Sequence, residues 1–365
     1  MTSTVGDWLR VLDDLYPPSW AEEWDASGLQ VGDPDRPADR ALVALDPTPE
    51  VVREAGGLRC GLLVTHHPLV FRPLSRLDAR DPVARTVLDA VEAGVAVVAA
   101  HTNADVAPGG VSDALAEALG IRVAGPLQES RAGERVKLVT FVPAGDTMKV
   151  LDAVADAGAG VIGEYTHCSF RVRGTGTFLP SDRAHPAVGE AGALNEVEED
   201  RLEIVVPAER QGAAVRSLLE AHPYEEVAYD VYPLAGRSGL GLGRVGSPDE
   251  RMTAGELARR CTERLGAQVR VAGDPEREVT TVALCGGSGA TLIPEALRAG
   301  AEAYVTGDVR HHQALEAAAA GMVVIDAGHF GTEWPFVPGL ARHLAGAGLG
   351  EVSVSGIRTD PFASR

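Results

Sequence analysis

The sequence has no apolar run approaching the roughly 18 residues of a membrane span, no C-x-x-C pair and no block of Lys or Arg. Each absence removes a class of function. Without the apolar run there is no spanning helix to read. The four cysteines (Cys60, Cys168, Cys261 and Cys285) are scattered, which argues against a disulfide framework or a thiolate metal site. The net charge of -19, from 52 acidic against 33 basic residues, repels nucleic acid and anionic lipid. A small phosphorylated ligand could still reach a locally positive metal site. The first residues carry no apolar signal segment, so the expectation is a soluble cytoplasmic protein. The G-x-G-x-x-G and Walker patterns are also missing.

What is present is a long internal repeat. Ala41 to Phe71 and Val279 to His312 each read as a short apolar strand, a Gly/Pro/Thr turn, an Ala-rich helix and a second apolar strand. The second strands end in Val64-Thr65-His66-His67 and Val305-Thr306-Gly307-Asp308. A further helix and strand follow in each copy, and His101 aligns with His329 and Asp105 with Glu333. Buried strands alternating with helices predict a parallel sheet covered on both faces, with ligands beyond the carboxyl ends of its strands. The expected fold is α/β: two pseudo-symmetric halves forming one metal-binding domain around a pseudo-two-fold axis and closing one sheet. The halves span residues 1–124 and 239–365. Between them, 125–238 carries its own doubled β-α-β pattern (Lys137 to Gly160, Arg201 to Tyr224) and is read as an inserted α+β ferredoxin-like domain. Gly174 to Gly192 is expected to be a loop, and Pro233 to Gly246 the return linker.

The chemistry concentrates at strand ends. Imidazole suits zinc, iron, cobalt and nickel. In Thr65-His66-His67-Pro68, the proline restricts His67, so the backbone can turn and aim both rings inward. The His-x-x-x-acid pairs His101/Asp105 and His329/Glu333 place ligands one helical turn apart. Brought together by the repeat, His66, His67, His101, Asp105, His329 and Glu333 form a set for two divalent ions, with zinc, iron or manganese as the expected metals. A carboxylate between two such ions offsets their repulsion, and a metal-bridging hydroxide is a ready nucleophile. Asp308, with His312 four residues on along one helical face, is read as a general acid/base pair or substrate contact; His101 stands beside them as a catalytic candidate. Asn103 is read as a ligand contact or a turn residue. Cys285-Gly-Gly-Ser-Gly289 is read as a tight turn or a phosphate-holding loop, and Trp24 as core or interface packing.

Several segments resemble the dinuclear-metal-centre hexameric proteins, the GTP cyclohydrolase 1 type 2 homologues. They are WDASGLQVG (Trp24 to Gly32), VTHHPLVF (Val64 to Phe71), HTNAD (His101 to Asp105), VTGDVRHH (Val305 to His312) and GHFGTE (Gly328 to Glu333). GEYTHCSFRVRGTGTF and HPYEEVAYDVYPL carry the likeness into the middle region. Ala26-Ser27 stands where that family more often has Asn-x before Gly-Leu. The resemblance implies that His66, His67, Asp105, His329 and Glu333 hold two metals, with His101 beside or within that shell. It also implies a homohexamer and an insert similar to the trimeric copper-tolerance proteins. The function it implies is metal-dependent hydrolysis of a nucleotide or related small molecule. A non-catalytic metal-binding scaffold or regulator, and a non-haem di-iron redox protein, are the alternatives.

Overall fold

The computed structural model describes residues 2–130, 133–163, 165–234 and 239–362. The chain divides into two compact units, one from Met1–Ser130 with Gly239–Arg365, the other from Arg131–Ser238.

The first unit begins with α1 (Val5–Leu15), β1 (Gly28–Val31), β2 (Arg40–Ala44), α2 (Pro49–Gly57), β3 (Leu62–Thr65), α3 (Pro82–Ala93), β4 (Ala96–Ala99), α4 (Thr102–Val106), α5 (Val111–Leu119) and β5 (Ile121–Glu129). The second unit runs β6 (Arg135–Pro143), α6 (Thr147–Asp156), β7 (Ser169–Phe178), β8 (Asn195–Pro207), α7 (Gln211–Ala221) and β9 (Tyr229–Pro233). The chain then returns through β10 (Gly241–Pro248), β11 (Met252–Thr253), α8 (Ala254–Leu265), β12 (Arg270–Ala272), β13 (Glu278–Val279), β14 (Val282–Leu284), α9 (Ile293–Arg298), β15 (Ala303–Thr306), α10 (His311–Ala319), β16 (Val323–Asp326), α11 (His329–Glu333), α12 (Phe336–Gly346) and β17 (Glu351–Val354).

The repeat is visible element by element. Strands β3, β4, β15 and β16 are buried at every residue, as their unbroken apolar sequences require for strands covered on both faces. The helices that open the two halves, α1 and α8, start with the same device. Thr4 and Thr253 each form a capping box with an acidic residue three positions on, Asp7 and Glu256.

The halves do not close one sheet, as the sequence led us to expect. Among the described residues they form two large sheets, ordered β1-β4-β3-β2-β17 and β12-β16-β15-β14-β10-β5, and a two-stranded one of β11 and β13. Each large sheet contains a run of three parallel strands, β4-β3-β2 and β16-β15-β14, with an antiparallel strand, β1 or β12, at one end; in the second, β10 also pairs antiparallel with β14. Strand β17, from the C-terminal half, completes the first sheet by pairing parallel with β2. Strand β5, from the N-terminal half, lies at the edge of the second. The core beside the first sheet mixes both halves, with Trp8, Val64 and Val98 packed in one cluster with Phe336 and Leu340.

The boundary expected at 124/125 falls inside β5, whose apolar and polar residues pair with β10, so the first unit extends to Ser130. For the same reason Gly241–Gly246 of the expected linker is strand; residues 235–238 of that linker lie outside the described residues. In the second unit the sheet order is β7-β8-β6-β9, antiparallel throughout, and α6 and α7 pack on it through Val150, Leu151, Val154, Ala214 and Leu218. The expected loop at Gly174 begins later, because β7 continues in register with β8 to Phe178. Among the described residues no helix is long and apolar enough to cross a membrane.

Candidate metal centre

His66 and His67 follow β3, His101 follows the adjacent strand β4, and His329 opens α11 just past β16. All four therefore lie beyond carboxyl ends of parallel strands. Asp105 and Glu333 each sit four residues after a histidine, on α4 and α11. The structure brings the rings together. Ring centroids lie 4.9 Å apart for His66–His67, 5.2 Å for His66–His101, 5.6 Å for His67–His101 and 5.3 Å for His67–His329. Two overlapping triads could each hold an ion: His66, His67 and His101, and His67, His329 and Glu333. Their ligand atoms lie within 4.8 Å of one another.

Glu333 lies at the meeting point, 4% exposed. Its Oε1 is 3.1 Å from His329 Nε2 and 3.6 Å from His66 Nε2, and its Oε2 is 3.2 Å from His67 Nε2. Asp105 Oδ1 is 3.7 Å from His66 Nε2. The Nε2 atoms of His67 and His329 approach to 3.3 Å. Two imidazole lone pairs facing each other at that distance need a proton or a cation between them.

Each ring's other nitrogen is tied outward. His66 Nδ1 donates to Ala100 O at 2.8 Å. His67, His101 and His329 pair through Nδ1 with Asp46, Asp25 and Asp308, each at 2.7 Å. This fixes the tautomer that leaves Nε2 as the inward donor, the arrangement metal-ligating histidines use. His66 Nε2 and Glu333 Oε2 are buried without a hydrogen-bond partner among the described residues. Such orphaned atoms are costly unless something else binds them. Five carboxylates (Asp25, Asp46, Asp105, Asp308, Glu333) surround four imidazoles, a balance that calls for added positive charge.

Without a metal, protons supply part of that charge. Burial pulls the His67 pKa down, but the hydrogen bond to Asp46 and the nearby Glu333 carboxylate outweigh it and push it up to about 10. His329 rises to about 9 against burial, through Glu333 and then Asp308. Glu333 is held well below the usual carboxylate range because the surrounding imidazoles overcome its burial, whereas burial raises Asp105. A raised histidine pKa gives stability that is complete below its ordinary value near 6.5 and lost as pH rises through the folded value. Chelator-treated protein is therefore expected to melt at a lower temperature at pH 10 than at pH 7. Divalent-metal affinity should rise over the same interval as the competing protons leave. Melting curves and metal titrations across this range check both; a flat response would contradict the charge state described here.

Asp25 and Asp46 were not among the residues the sequence singled out as functional. Asp25 is the more enclosed. Its Oδ1 accepts from Ala26 N and faces His101 Nδ1; its Oδ2 accepts from Ser27 Oγ, Thr102 N and Thr102 Oγ1. Asp308 was expected to share a helical face with His312. It instead precedes α10, in the left-handed region at φ 57, which an aspartate tolerates better than most residues. That turn aims its carboxylate at His329. His312 is exposed on α10 with its ring against His311, 5.3 Å between centroids. Asn103 is buried and structural, donating through Nδ2 to Tyr16 O at 2.7 Å while Oδ1 accepts from Ser27 and Ala104. The Cys285 to Gly289 turn uses its amides internally, from Gly287 to Thr332 Oγ1 and from Gly289 to Thr306 Oγ1, which argues against a phosphate loop. It passes so close to the cluster that a Cβ on Gly287 would lie 2.2 Å from Glu333 Oε1.

The family model of Duf34/NIF3 (NGG1p interacting factor 3) matches residues 3–361. A Mycobacterium tuberculosis protein named GTP cyclohydrolase 1 type 2 homolog is 42% identical over 99% of this chain and 97% of its own. A Halalkalibacterium halodurans protein of the same name is 39% identical over 97% of each. The solved Bacillus cereus protein related to NIF3 superposes with a TM-score of 0.73 at 38% identity, covering 100% of both chains. A solved Staphylococcus aureus protein does so with 0.79 at 29% identity, covering 100% of this chain and 99% of its own. With its clustered histidines and acids in an α/β fold matched from end to end, the chain belongs to the Duf34/NIF3 family.

Proposed function

We propose that this protein binds two divalent metal ions through His66, His67, His101, Asp105, His329 and Glu333, and uses them to hydrolyse a nucleotide or related small molecule. The observation that carries the reading is the convergence of the Nε2 atoms of His66, His67 and His329 on Glu333, with Asp105 beside His66, His101 grouped with His66 and His67, and all four Nδ1 atoms pinned outward. Histidine and carboxylate without thiolate suits zinc, manganese or iron(II). Such ions, when bound, supply Lewis acidity and an activated water. The chain's own part is to hold the Nε2 lone pairs in place and to keep Glu333 anionic between them. Asp308, exposed at the rim while it holds His329, stands where it can contact a substrate. The curated relatives' name brings a purine nucleotide forward as the substrate to try first. We further propose that the second unit is a ferredoxin-like assembly module and that the protein works as a homohexamer. If the ions are iron, non-haem redox chemistry is the competing activity.

The test is metal content by mass spectrometry on untagged protein, followed by turnover of nucleotides and phosphoesters. Close to two ions per chain with product release supports the reading. Protein that takes up no zinc, manganese or iron(II) sinks it, and full loading without turnover of any substrate leaves a scaffold. The outer carboxylates give a graded check. Asp25→Asn, Asp46→Asn and Asp308→Asn should each weaken metal affinity by about 10–100-fold. Asp25→Asn should have the largest effect, since the Asp25 side chain is 0% exposed against 47% for Asp308. Equal affinities in all three variants would contradict the outward-pinning argument.

A further inference from the structure

The sequence led us to expect Trp24 in a core or an interface; within one chain it is 60% exposed, which excludes the core, and Phe71 beside it is 47% exposed. They border a cavity of about 370 Å³ whose walls include Asp25, Leu29, Gln30 and Val70, a volume at the lower end for small-molecule sites. The rings of Trp24 and Phe71 lie 5.9 Å apart, edge to face. Both also touch the histidine cluster, at 6.3 Å and 6.4 Å from the His101 ring. Through these two rings and Asp25, which pairs with His101, the cavity adjoins the His101 side of the candidate metal centre.

The cavity is also held open by design of its own wall. Gln30 sits between the two lips: its Nε2 donates to Ala26 O, next to Trp24, and its Oε1 accepts from Val70 N at 3.1 Å, next to Phe71. With both ends of that amide engaged, Gln30 fixes the spacing of the rings and has little left to offer a ligand. Asp25 is likewise committed to His101, Ser27 and Thr102. What the wall presents is therefore aromatic surface without free polar side chains from Asp25 or Gln30.

We propose that Trp24 and Phe71 form a stacking platform that receives a planar heteroaromatic ring of the substrate while the rest of the molecule reaches the metal cluster. This rests on the hydrolase reading above and adds its substrate class. Stacking is tolerant of ring identity because every such ring offers a π-face. The platform selects flat rings from aliphatic molecules and does little to tell one purine from another.

The experiment titrates metal-loaded, full-length protein with GMP, AMP and ribose 5-phosphate, following heat and tryptophan fluorescence. GMP and AMP should bind within about threefold of each other, and ribose 5-phosphate about tenfold or more weakly. Trp24→Ala should lose about tenfold in affinity for both nucleotides, leave ribose 5-phosphate unchanged and keep full metal content. Gln30→Ala, which keeps both rings, should weaken both nucleotides too. Equal binding of GMP and ribose 5-phosphate, or nucleotide binding untouched in Trp24→Ala, overturns the platform. So does a Trp24→Ala protein that dissociates on sedimentation while binding nucleotide normally, since the surface would then be a contact between copies. Metal-loaded protein that binds none of the three also overturns it and leaves the metal reading standing. Protein that holds no metal sinks that reading instead, and ring selectivity is then judged on the metal-free form.

Discussion

Glu333→Gln should leave the protein folded and unable to keep its metals. Two divalent ions a few ångströms apart repel by on the order of 20 kcal/mol even at an effective dielectric near 20. A neutral amide at the meeting point removes the anion that offsets this and places an N–H donor among the inward-facing Nε2 atoms. Glu333 is in contact with His66, His67 and His329 at once, so the loss reaches both triads. The fall in affinity should exceed the roughly 10–100-fold that an outer carboxylate costs. Metal content after dialysis, with melting of the chelated parent and variant as the folding control, gives the answer. A variant that keeps both ions at parental affinity would remove Glu333 from the site.

Arg244→Ala should be the most destabilising single change away from the cluster. Arg244 is 2% exposed and makes five hydrogen bonds. Two go to Asp113 at 2.9 and 2.7 Å, and three to the carbonyls of Gly241, Gly243 and Ala107 at 2.7, 2.8 and 2.6 Å. Breaking a buried pair from one side costs about 3–5 kcal/mol. The low end applies here, because the Asp113 side chain is 24% exposed and keeps Gly109 N as a donor. At about 2–4 °C per kcal/mol for a unit of this size, melting should drop by roughly 6–12 °C. Arg244→Lys should not rescue it, since an ammonium cannot reproduce the planar fork. Ala107 directly follows α4, so the variant should also loosen Asp105 and weaken metal binding. Unchanged melting would show that the carbonyls find other donors.

The internal repeat made much of the fold legible. Aligned strand ends identified His66, His67, His101 and His329 together with their acids, because identical strand–helix units repeat the same local geometry. The outer carboxylates were less visible. Asp46 lies two residues past β2, but its counterpart in the second copy is glycine, so the repeat carries no echo of it; Asp25 lies in a segment outside the aligned copies. Trp24 is not in the core, although an indole reads as core even between Glu23 and Asp25, because exposure depends on which neighbours arrive from elsewhere in the chain. The exchange of β17 and β5 between the sheets was unreadable for the same reason. Pairing partners more than a hundred residues apart leave no local period in the sequence.

The second unit leaves the first from the tip of a hairpin. Ser130 N donates to Leu240 O at 3.0 Å, and Glu129 stands opposite Gly241 in the antiparallel ladder of β5 and β10. A hairpin tip is a tolerant place to splice chain, because both ends emerge side by side and the strands behind them stay paired whatever the intervening length. Evolution can then lengthen, exchange or delete that intervening module as a cassette while the host, with its histidines and acids, keeps its own register.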